Sequence, residues 1–237
     1  HNLLNALFIL GRHQKMNLEI ENLEQFYAQS STFNENLEKQ TFVYLYTAKL
    51  NKHFLEGTFT EGLELIKPIE TKLGQYHQYI DIHRVLVFYY KIASLYFGSG
   101  DNEQAIEYLN KIINLKVGHL RSDIQCFARL LHLIAHYELD NLQLVEHLIK
   151  SVYRFLSKME SLDAVLTQIF EFLKKSLSSN PHDVKKSFVE LRNKLEIIST
   201  SKYNRRSYQY LDIVSWLDSK IENMAVEEVI RRKFMKG

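Results

Sequence analysis

A chain of 237 residues with only 8 Gly and 2 Pro can bury a large core, about three quarters of its unfolded surface, and has too few breakers for long turn-rich β structure. The formal net charge of +2 and the dispersed basic residues argue against a strong electrostatic partner, nucleic acid included. The single cysteine, Cys126, excludes an internal disulfide framework and fits a reducing, cytoplasmic setting. No apolar run reaches the roughly 18–20 residues that span a bilayer, and no signal peptide is visible.

In chain order, Leu3 to Gly11 is apolar and reads as the end of a helix, with Gly11-Arg12 as a turn and Asn17 to Gln29 as the partner helix. Terminal repeats need a polar cap, so from this apolar start, together with His1 in place of Met, further helical repeats or another domain are expected upstream. Glu35 to Glu56 and Thr60 to Gln75 form the next pair around Gly57, with Pro68 expected to bend the second helix. The central pair spans Leu86 to Val117. Arg121 to Glu138 and Leu142 to Met159 follow, turning at Leu139-Asp140. Leu162 to Leu177 and Asp183 to Ile198 make a weaker pair, stopped between by Ser178-Ser179-Asn180-Pro181. Tyr208 to Met224 reads as a long helix, and the basic tail from Val226 is expected to continue it and cover the end of the stack.

The central pair is the most regular. Tyr89, Ile92, Ala93 and Tyr96 fall on one helix face, and Ala105, Ile106, Leu109, Ile112 and Ile113 repeat that spacing. Gly98 and Gly100 end the first helix, and Asp101 or Asn102 caps the second. So short a turn makes the two antiparallel. Turn positions recur 43 residues apart from Gly57 to Gly100 and 39 apart from Gly100 to Leu139, within the period range of stacked repeats.

Over this stretch the chain resembles a tetratricopeptide repeat. Tyr89, Ile92-Ala93 and Tyr96 stand for the family's aromatic, Leu-Gly and Tyr positions, Gly100-Asp101 for its turn, and Ala105 and Leu109 for its second helix. Ile112 replaces a small residue, and the closing proline is missing near Val117. The resemblance implies an all-α fold, a right-handed superhelical solenoid of antiparallel helix pairs. One domain is expected over 1–237, with pairs at about 1–31, 35–76, 81–117, 121–160 and 162–199 and a terminal helix at 204–235.

Mapped onto this chain, the family's groove positions are Tyr44, Thr47, Asn51 and Phe54, then Val87, Tyr90, Ser94 and Phe97, then Cys126, Arg129, Leu133 and His136. That lining suits an extended peptide or a partner helix; the alternative is that neighbouring helices or solvent fill it. The resemblance implies a non-catalytic protein-interaction scaffold, or else a peptide-sensing regulatory domain attached to an upstream DNA-binding or catalytic domain.

The search for chemistry is negative. His132 and His136 share a helix face, but Leu133 stands where a zinc peptidase needs Glu, and no third ligand is evident. Gly98-Ser99-Gly100 lacks the Lys of a phosphate loop and is followed by Asp101. No cofactor, metal or membrane contact is expected.

Overall fold

The computed structural model describes residues 2–29, 34–116, 118, 120–159, 164–177, 180–199 and 212–236. Every regular element among them is helical. α1 (Asn2–Ile9) turns into α2 (His13–Ala28). α3 (Glu35–Glu56) is followed by a broken helix: α4 (Phe59–Gly62), a 3-10 turn (Leu63–Leu65) and α5 (Ile66–Gln75). α6 (Ile82–Ser99) pairs with α7 (Asn102–Ile113), α8 (Ser122–Glu138) with α9 (Leu142–Lys158), and α10 (Ala164–Ser176) with α11 (Pro181–Ser199). α12 (Ile213–Glu222) and α13 (Val226–Lys236) complete the chain.

Local chemistry accounts for most boundaries. Asn34 caps α3 by accepting from the Leu37 amide, and Asp81 caps α6 by accepting from Arg84. Gly100 closes α6 at φ +92°, where an L side chain is disfavoured, and Asp101 caps α7 through the Gln104 amide. The 3-10 turn lies just ahead of Pro68. A proline ring crowds the carbonyl four residues before it, here Glu64, and the helix tightens there.

Each short turn sets its two helices side by side, and each second helix then packs on the first helix of the following pair: α2 on α3, α4 on α6, α7 on α8, α9 on α10 and α11 on α12. One large core runs from α3 to α13, and a small one holds α1 and α2 against Leu45 and Ala48 of α3. Ala105 is fully buried where α7 crosses α6, while Tyr108 of α7 meets the rings of Tyr89 and Tyr96. α8 is buried on nearly every side from Ile124 to Ala135, which makes it the central strut.

Three expectations are corrected. Gly98 does not end α6; it lies inside the helix with the Phe59 ring on its bare Cα, where a Cβ would come within 2.3 Å of that ring. The terminal helix expected over 204–235 is interrupted: Asn223 adopts φ +55° after α12, and α13 starts afresh at Val226. Its expected beginning, 204–211, lies outside the described residues, as do the breaks expected at Ser30 to Thr32 and at Ser178-Ser179. Finally, α13 returns to α3 and α6 near the start of the chain instead of extending past α12.

Candidate binding trough

Two helical stripes face each other across a cavity of about 730 Å³. Tyr44, Thr47, Asn51 and Phe54 form the α3 stripe, and Val87, Tyr90, Ser94 and Phe97 the α6 stripe. Both follow the i, i+3/i+4 spacing that keeps side chains on one face. α1 closes one side with Phe8, α8 contributes Ile124 and Leu131, and α13 covers one end with Val226 and Ile230.

Cations and rings meet inside. Lys91 extends its ammonium to the Asn51 amide oxygen and lies over the faces of Phe54 and Phe8, at 5.0 Å and 5.7 Å from their centroids. Burial, reinforced by the Arg121 charge, pushes the Lys91 amine down to about 8. Arg84 lies over the Tyr44 ring and pairs with Asp81. Arg121 is held in a fork by both Asp123 oxygens, at 2.9 and 2.8 Å. Asp212 caps α12 through the amide and hydroxyl of Ser215.

The groove positions assigned on α8 are a correction. Arg129 is stacked over Phe155 at 3.6 Å and donates to the Gln125 carbonyl, so it serves the contact with α9. Leu133 is fully buried in the core. His136 bonds Asn141 across the following turn and packs edge-on to His132 at 4.5 Å. Burial, with His136 and Arg129 adding to it, holds His132 near 4.

Register is only part of the cause. Aligning Leu139 with Gly100 shifts the copy by 39, whereas the left-handed turn residue is Asp140, at φ +57°. With a shift of 40 the four positions become Phe127, Leu130, Ile134 and Tyr137, and none of these lines the trough either. α8 reaches the trough through Ile124 and Leu131, the counterparts of Arg84 and Lys91, so its packing and not the repeat register decides which face it shows.

Lys91, Arg84 and Arg121 were missed because the family positions do not include them. The covering by α13 had no local signal at all. Its attachment combines buried Val229 and Ile230 with a set of polar contacts. Glu227 accepts from the Thr60 amide at 2.6 Å, and Arg231 donates to the Gly57 carbonyl and pairs with Glu61. Gly57 leaves no room for a side chain: a Cβ there would sit 2.4 Å from the Arg231 nitrogen. Lys233 pairs with Asp218, and Phe234 meets the His13 ring edge-on.

Among the described residues no cluster of three His, Cys, Asp or Glu is placed to hold a metal, and no helix is long and apolar enough to cross a membrane.

With this geometry established, comparison with known families gives a match to the tetratricopeptide repeat over residues 86–116. The chain carries a tetratricopeptide repeat. That span covers α6 from Leu86 onward, all of α7 and the turn between them, so the α6 stripe from Val87 to Phe97 lies within the matched repeat. Comparison with curated proteins and with solved structures gives no match.

Proposed function

We propose that the chain is a non-catalytic protein-interaction scaffold: a single repeat domain, stacked as a right-handed superhelix, whose trough between α3 and α6 receives a peptide segment in extended form. The tetratricopeptide match supports an interaction role, and the continuous facing stripes carry the reading.

An extended strand with its side chains has a section of about 48 Å², from its two packing spacings, and a helix about 10 Å across about 80 Å², so an extended segment makes the smaller demand on a trough of about 730 Å³.

A displayed library of random peptides provides the test. Selected peptides should cross-link to a photoreactive residue placed at Ser94 and not to one at the exposed Glu103. Val87→Arg, at a half-buried lining position, should weaken them at least tenfold while moving the thermal midpoint by no more than about 2 °C. Equal binding to wild type and Val87→Arg would move the interaction off the trough.

A second reading, a peptide-sensing regulatory domain attached to an upstream domain, is favoured by one observation: beside the trough end, Glu227 and Arg231 of α13 make polar contacts that an incoming segment can replace.

A further inference from the structure

The trough holds a positive charge for which the described residues supply no counter-ion. Of the charged groups lining it, Arg84 is paired with Asp81, Arg121 with Asp123, and Asp212 is engaged in capping α12. Lys91 differs. Its neighbours are one amide oxygen and two aromatic faces, and among the described residues no carboxylate lies within ion-pair distance of it.

An ammonium drawn away from water and left without an anion is costly, and supplying the anion recovers that cost. The ammonium has three donors, of which Asn51 takes one. A carboxylate can take the other two. Phe54 and Phe8 on one side and Val87 and Tyr90 on the other offer apolar surface around the same point.

We propose that the trough selects an extended acidic peptide in which one internal Asp or Glu carboxylate pairs with Lys91 while apolar residues on either side of it lie against the flanking aromatic walls. This rests on the extended-segment reading above and adds the chemistry that selects the segment.

The test uses the full chain and two libraries of blocked hexapeptides, one with Asp fixed at the third position and one with Asn there. The other five positions are randomised over Phe, Leu, Val and Ala. At pH 7 the Asp library should be retained on immobilised protein at least tenfold over the Asn library. Lys91→Met, which keeps the apolar stem, should abolish that preference, and Lys91→Arg should restore part of it. Between pH 7 and 9 the preference should fall about tenfold, because an amine titrating near 8 loses most of its charge there while Arg84 and Arg121 keep theirs.

Equal retention of the two libraries, or a preference that survives in Lys91→Met folded by circular dichroism, overturns the inference. Val87→Arg separates the two levels. Libraries retained equally by wild type but lost in Val87→Arg leave the extended-segment reading standing, whereas retention unaffected by Val87→Arg removes both. Retention of neither library, with 3-phenylpropionate alone binding, assigns the charge to a free organic acid and also overturns the peptide proposal.

Discussion

Lys91 and Asn51 are the residues around which the trough chemistry turns. Asn51 is buried on α3, 40 positions before the lysine it solvates. The electrostatic cost of this arrangement is measurable without any ligand. In the folded chain Lys91 releases its proton near 8, against about 10.4 when unfolded. Between those values the unfolded state binds more protons, so the Lys91 contribution to stability rises with pH across that window. Below it the charged group is a standing cost, on the order of 1–2 kcal/mol after discounting for its partial contact with solvent. Lys91→Met should therefore be more stable than wild type at pH 7, with the gain vanishing by pH 10.5. Urea unfolding of both proteins at pH 7, 8.5 and 10.5 reads the difference, and a gain that does not change with pH would contradict the burial of the ammonium.

At the scale of elements, turns and approaches do different work at residues that look alike in the sequence. Gly57 and Gly100 both adopt positive φ after a first helix, but only Gly57 is pressed by a distant backbone. Gly100→Ala should cost about 1 kcal/mol, the conformational penalty alone, because nothing lies within 4 Å of the added carbon. Gly57→Ala should cost clearly more and should lift α13, since its Cβ would collide with the Arg231 and Glu227 backbone. Limited trypsin cleavage at Arg231 and Arg232 should accelerate in Gly57→Ala and remain unchanged in Gly100→Ala. The same logic applies to α8, whose nearly all-round burial gives no amphipathic stripe from which to read a face. The turn at Asp140 fixes where α8 ends, and packing decides which of its residues meet the trough.

For the molecule as a whole, α13 determines what the trough is. Without it the α3 and α6 stripes form an open groove; with it one end is walled by Val226 and Ile230. α12 is anchored independently. Trp216 donates to Glu138 at 2.7 Å, and its ring is surrounded by Tyr137, Phe172 and Phe188. Arg231→Ala removes the bonds of that side chain to Gly57, Glu61 and Glu227 while leaving the α12 anchor intact. Amide exchange in α13 should then quicken at least tenfold with α7 unaffected; a uniform change across both helices would mean that α13 unfolds only with the whole chain. That experiment also tests the regulatory reading, in which α13 is the element that moves.

The helix pairs and most of their ends were legible in the sequence because their causes are local. Asn34, Gly57, Gly100 and Asp101 act on amides and carbonyls within a few residues, and the bounds of α3 follow from them. The α3 and α6 stripes were legible for the same reason, once Gly57 and Gly100 set their register. Tertiary structure alone decided three things: which face α8 shows to the trough, where α13 docks, and that Lys91 finds an amide and two rings instead of a carboxylate. Each depends on backbone brought together from 40 to 174 positions away. Helical periodicity specifies which residues share a face, but packing between distant segments specifies what that face meets.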